Sequence, residues 1–363
     1  MPTPSPRTLR LALPAGVAVA VAAAVAVPSI ASGADAPRLP ARSAAQLLAA
    51  VEQTDVQALS GTVVSTARLG LPALPSASTS GGSADALGML TGSHTLRVWV
   101  DGDQRQRLAL LDSQAETDVV HSGRQLWTFA SATGAVSHTS LPAERAGERP
   151  AAPEAALTPQ QAAEKALAAI DPSTAVTVDR TAKVAGRSAY QLVLTPRDAS
   201  SLVGSVRIAI DSATSLPLRL QVWQRGVGLS GLPAYQVGFS DLSLSTPAAS
   251  TFAFTPPRGS TVTEHTLDGT TPGEHLGTAP PRTGSSVAEQ PTVVGSGWSA
   301  VAVVRGLDLT GKTGSTLQQA STPVAGGGRL VTSALVSVLV RGSTAYIGAV
   351  TPQRLQQVAD STS

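Results

Sequence analysis

Residues able to do chemistry are sparse in this chain of 363 residues, and their spacing points away from catalysis. Cysteine is absent, which removes thiol catalysis, thiolate metal sites and lipid attachment at an amino-terminal cysteine. Gly226 to Gly231 spells G-x-G-x-x-G, the spacing of a dinucleotide loop. Such a loop needs a helix to open behind it, so that its amino terminus meets the pyrophosphate. Pro233 and the alternating AYQVGF follow instead, and a glycine-rich connection between strands is expected. Glu264-His265 and Glu274-His275 could ligate a metal, but they lie in a Pro/Gly-rich passage at no helical spacing, and no H-E-x-x-H is present. The serine elbow G-x-S-x-G is missing too. His94, His121 and His138 fall in alternating runs without a recognisable partner and read as surface residues. A cell-wall hydrolase would need two facing carboxylates, and no Asp or Glu pair stands out. Trp99, Trp127, Phe129 and Trp223 could form a stacking surface, with packing the simpler role. No catalytic residue, metal site or cofactor is therefore expected, and the chain reads as non-enzymatic.

What the sequence offers instead is apolar alternation. Leu96 and Val98, Leu108 and Leu110, Leu192 and Leu194, then Ile208 and Leu220 recur at period two, which places each set on one side of a strand. Around them the strands fall at short spacing: Ser60–Leu69, the run HTLRVWVD, Arg105–Leu111, Glu116–His121, Arg124–Ala130 and Ala135–Leu141. A second group covers Ala175–Val184, Ser188–Thr195, Val206–Ile210, Leu218–Val222 and Ala234–Leu244. Turn signals separate them, among them Ser122-Gly123, Thr133-Gly134 and Asp211 to Ser215, where an aspartate can bond its own backbone. Such spacing favours an antiparallel sheet over parallel α/β units. Two helices interrupt it. Ser43–Ala58 places Leu47, Leu48 and Val51 on one face with Ser43 as cap; Thr158 caps a second through Ile170, with Pro159 at its first position.

Composition agrees with strands and turns: 33 Gly and 26 Pro stand against 14% charged and 3% aromatic residues. A net charge of +2 is too small for a nucleic-acid footprint. Arg7 and Arg10 precede an apolar run from Leu11 to Ile30 and the small residues Ser32-Gly33-Ala34. Residues 1–34 thus read as a secretory signal cleaved after Ala34, or as a membrane anchor through residues 11–30; both place the rest outside the cytoplasm. Leu71–Thr91 and Glu144–Pro159 lack periodicity and read as a long loop and a linker-like passage. Residues 261–291 read as a flexible linker to a small unit at 292–363, with strands at Gly297–Val304, Arg329–Leu339 and Ser343–Val350 and a helix at Thr351–Asp360.

GRSAYQLVLTP at 186–196, VRIAIDSATSLPLRLQVW at 206–223, LWTF at 126–129 and FAFTPPRGSTV at 252–262 resemble the LolA/RseB superfamily of lipoprotein carriers and envelope regulators. The resemblance spans residues 41–260, and the tail at 292–363 is similar to a reduced carboxy-terminal domain of RseB-type proteins. It implies an α+β fold, mainly antiparallel, in which an incomplete barrel with a helical lid encloses an apolar groove for acyl chains. Leu96, Val98, Leu108, Leu110, Leu192, Leu194, Ile208 and Leu220 would then line that groove. The implied partners are a lipid or acylated protein, or alternatively the external domain of a membrane-bound anti-sigma factor or an envelope transporter.

Overall fold

The computed structural model describes residues 37–70, 92–112, 114–142, 157–168, 170–227, 231–266, 291–307 and 319–362. The proposed leader, the loop at 71–91, most of the passage at 144–159 and residues 267–290 lie outside them.

Alternation produces strands where the sequence places them. In the first half these are β1 (Ala58–Ala67), β2 (Gly92–Asp101), β3 (Arg105–Leu111), β4 (Glu116–Ser122), β5 (Gln125–Ala130) and β6 (Ala135–Ser140). In the second they are β7 (Thr174–Val184), β8 (Arg187–Pro196), β9 (Val203–Asp211), β10 (Pro217–Gln224) and β11 (Tyr235–Ser243). Together with β12 (Thr261–Thr266) they form a 12-stranded sheet in the order β12-β6-β5-β4-β3-β2-β1-β11-β10-β9-β8-β7. Its edges, β12 and β7, do not pair with each other, so the sheet is open rather than a closed barrel. Pairing is antiparallel throughout except at β12, which runs parallel to β6.

One face carries the core. Leu110, Leu96, Val63 and Phe239 stand in register across β3, β2, β1 and β11. A second row, Val178, Leu192, Ile208, Leu220 and Val237, crosses β7 to β11. Gly61 makes room for the first row: a Cβ there would lie 2.6 Å from the Asp241 carbonyl and 3.0 Å from the Phe239 ring. Helix α1 (Ala44–Glu52) and helix α2 (Pro159–Ala168) cover this inner face, contributing Leu47, Ala162 and Ala163 to the same buried cluster. Both start as the sequence leads one to expect. Ser43 and Gln46 form a capping box on α1, and Thr158 exchanges bonds with Gln161 ahead of Pro159 on α2. Helix α1 is shorter than expected, because Thr54 turns its hydroxyl back to the Ala50 carbonyl and across to that of Ser215. The chain then leaves for β1.

The expected linker begins later than residue 261. After β11 the chain crosses the outer face of the sheet, where a single 3-10 turn, Ala249–Phe252, contacts β3 and β4 and buries Phe252. Phe254 follows, 5.4 Å from the Trp127 ring and 6.2 Å from Phe129. Residues 261–266, read from sequence as the start of the linker, pair in parallel with β6 as β12.

The tail forms a second sheet of six strands, β13 (Thr292–Val294), β14 (Val301–Val304), β15 (Thr322–Pro323), β16 (Arg329–Thr332), β17 (Ser337–Arg341) and β18 (Thr344–Gly348), ordered β13-β14-β18-β17-β16-β15. Helix α3 (Pro352–Ser361) buries Leu355, Val358 and Ala359 against Val301, Val303, Leu339 and Tyr346. The expected strand over Arg329–Leu339 is broken into β16 and β17. Ser333 makes the turn: its amide and hydroxyl both reach the Val336 carbonyl, and its hydroxyl accepts from the Val336 amide.

Candidate functional site

The residues expected to line a groove are brought together. Leu96 faces Leu110, Val98 faces Leu108, Leu192 faces Ile208, and Ile208 faces Leu220 across neighbouring strands. All lie on the inner face. Apart from Leu110, each is at most 7% exposed. Fully burying a Leu or Ile side chain stabilises by about 1.5–3 kcal/mol. These side chains lie in or against one buried cluster, which Leu47 of α1 and Ala162 and Ala163 of α2 join.

The outer face is polar and ionic, and it holds Trp99, Trp127 and Phe129. Trp99 lies beneath Arg97 and Arg107, whose guanidinium carbons are 5.0 and 5.6 Å from its ring centre. Arg107 grips Asp118 through two bonds of 3.1 and 3.0 Å and also donates to the Thr251 carbonyl. Trp127 stacks on His138 at 3.8 Å and 11°. His138 in turn meets Glu264 of β12 through Nδ1 at 2.6 Å and Gln125 through Nε2. One of the two acid–histidine dipeptides therefore bonds the edge strand β12 to His138 of β6 through Glu264; Glu274-His275 lies outside the described residues. No group of three His, Asp or Glu side chains gathers as a metal site among the described residues.

His121 corrects a sequence reading. It is fully buried rather than superficial, because its register places it on the inner side of β4 opposite Gln106 and Leu126. Its Nε2 is 2.7 Å from the Gly123 carbonyl, so the hairpin turn supplies a polar contact that alternation alone did not reveal. The G-x-G-x-x-G stretch connects β10 to β11, with residues 228–230 outside those described.

Two further constellations matter. At the β9–β10 turn, Asp211 is 2% exposed and accepts two bonds of 2.8 Å from Arg187. It also accepts from the Ala213 and Thr214 amides and the Thr214 hydroxyl, as expected of an aspartate turn. Desolvation pulls its pKa up, but Arg187 and the Thr214 donors outweigh that and hold it below the ordinary carboxylate value.

The second is the seam where the small sheet meets the large one. Leu202 donates to the Ala349 carbonyl at 2.9 Å, Thr351 to that of Ser200 at 2.7 Å, and Ala334 to that of Leu69 at 2.8 Å. The Trp298 indole donates to the Thr174 hydroxyl at 2.7 Å and packs against the main core. Beside it Gly297, with φ of 56°, leaves space that a Cβ would fill 2.5 Å from an Asp171 carboxylate oxygen. Asp198 is held below the usual carboxylate range first by Ser200, then also by Ser299 and Arg354 of the tail. Backbone and side-chain bonds together make the tail continuous with the sheet.

Comparison with known proteins places this geometry. The model of the MucB/RseB N-terminal domain matches residues 86–253. No curated protein matches. Among solved structures, the MucA/MucB complex of Pseudomonas aeruginosa is 16% identical, covers 87% of this chain and 96% of its own, and has a TM-score of 0.40. A LolA superfamily protein of Nitrosomonas europaea is 14% identical, covers 59% and 99%, and has a TM-score of 0.23. An uncharacterised conserved protein of Thermus thermophilus is 12% identical, covers 61% and 99%, and has a TM-score of 0.32. Over residues 86–253 this chain is thus similar to the MucB/RseB N-terminal domain.

Proposed function

We propose that this protein is an extracytoplasmic, non-enzymatic regulator of the RseB type, which binds the external segment of a membrane-embedded anti-sigma factor. The observation that carries the reading is the match to the MucB/RseB N-terminal domain. Two features support it. Side chains of α1 and α2 share the buried cluster of the inner face, so recognition of a polypeptide on the outer surfaces needs no opening of the core. The six-stranded tail, which a lipid carrier does not need, is bonded to the sheet as a continuous second surface. No helix of the described residues is long and apolar enough to cross a membrane, and the membrane would be reached through the partner or through residues 11–30.

The lipid-holding reading makes a different demand. Leu96, Leu192, Ile208 and their neighbours would have to be uncovered by moving α1 and α2, each buried CH2 of an acyl chain then contributing about 0.8 kcal/mol. Co-elution of the purified chain with the external segment of the anti-sigma factor, alongside mass spectrometry of extracted lipids, separates the two. The regulator reading expects a complex that is lost when residues 292–363 are deleted. Retained acyl ligands with no complex would overturn it.

A further inference from the structure

Four described arginines on the outer face of the large sheet pair with an acid. Arg105 pairs with Asp101 at 2.6 Å, Arg107 with Asp118, Arg187 with Asp211, and Arg207 with Asp179 at 2.7 Å; Arg97 stacks on Trp99. Arg219 stands among them in register between Ala209 and Gly238. Among the described residues it has no carboxylate partner. Its stem lies so close to Gly238 that a Cβ there would be 2.8 Å from the Arg219 Cγ. Asp179, the acid nearest in its row, is taken by Arg207, and Asp241 on the same face makes no ion pair with it. Beside it Gln221, 4% exposed, donates to the Gln236 carbonyl oxygen at 2.7 Å. Desolvation lowers the Arg219 pKa below the ordinary arginine value. A half-buried guanidinium without a counter-ion is costly to a fold and gains most when an anion completes it.

We infer that Arg219, its stem laid across Gly238 and with Gln236 beside it, is a binding site for a carboxylate carried by an acidic, extended segment of a partner polypeptide. The inference rests on the regulator reading, from which the partner's polypeptide nature comes. It is supported by charge complementarity: four described arginines of this face meet an acid within the chain, and Arg219 meets none among the described residues. The planar fork suits a carboxylate.

Arginine side-chain Nε–H resonances of the full chain, with Arg219 assigned by R219K, test this. The probes are a short peptide of alternating Glu and Ser, its Gln-for-Glu counterpart, inorganic phosphate and phosphatidylglycerol vesicles. A saturable shift of Arg219 with the Glu peptide, and not with the Gln peptide, is expected. No shift overturns the inference, as does a shift with phosphate or vesicles but not with the Glu peptide. R219M should melt at the native temperature or above while binding the Glu peptide about tenfold more weakly or worse. A lowered melting temperature with unchanged peptide binding would mean a purely structural arginine. If the anti-sigma segment binds native chain and R219M equally, this inference fails and the regulator reading stands; if it binds neither while the Glu peptide binds as expected, the reverse holds.

Discussion

Replacing Asp211 by Asn isolates the most heavily bonded charge of the sheet. The substitution keeps the shape but presents an NH2 to the Arg187 guanidinium, which then loses a charge-assisted pair of 2.8 Å bonds. Removing one partner of a buried pair costs about 3–5 kcal/mol, and the 27% exposure of the Arg187 side chain lets water recover part of it, so about 2–3 kcal/mol is expected. The pH dependence has a definite sign. The Asp211 pKa is lower folded than unfolded, so the pair stabilises above the unfolded value, about 3.9. That stability is lost as pH falls through the folded value. Urea unfolding of native and D211N chains from neutral to acid pH should show a gap that closes below about pH 4. A difference under about 0.5 kcal/mol at neutral pH, or a gap that stays constant into acid, would refute the reasoning.

G61A places a methyl against the Asp241 carbonyl and the Phe239 ring and should destabilise by about 1–3 kcal/mol in the same assay. L192A empties a fully buried site beneath the helices and should cost about 2–5 kcal/mol, with no gain or loss of partner binding at temperatures where it stays folded. W298F removes the indole bond to Thr174 and should speed hydrogen exchange across residues 297–304 while β8 and β9 stay protected. Glu264 is 66% exposed, so E264Q should leave global stability unchanged, yet β12 amides should exchange faster than those of β6.

Much of the fold was legible because alternation and caps are local signals. Ser43, Thr158 and Pro159 announce both helices of the inner face, and the alternating runs place each of the first eleven strands. The misses are places where a longer-range contact decides. Thr261–Thr266 shows no apolar alternation, and its strand exists because β6 offers an edge and His138 a partner for Glu264. Ser-Ala-Leu-Val at 333–336 looks like strand, and only the Ser333 hydroxyl reveals a turn without Gly or Pro. His121 went unread because its buried Nε2 meets a carbonyl only two residues on, which leaves no spacing to find. The apolar inner-face residues were found as a set, but whether such a set is lining or core depends on what the helices do above it. Arg219 was invisible for a different reason: its significance lies in the lack of a nearby acid, and that emerges only when every strand is in register.

The central claim is that the outer surfaces recognise a polypeptide while the inner face stays closed. Calorimetric titration of the delipidated full chain with the external segment of the anti-sigma factor tests it most directly. Saturable binding that added fatty acid does not alter is the predicted result. An absence of binding until an acyl ligand is supplied, with Leu192 and Ile208 becoming exposed, would contradict it.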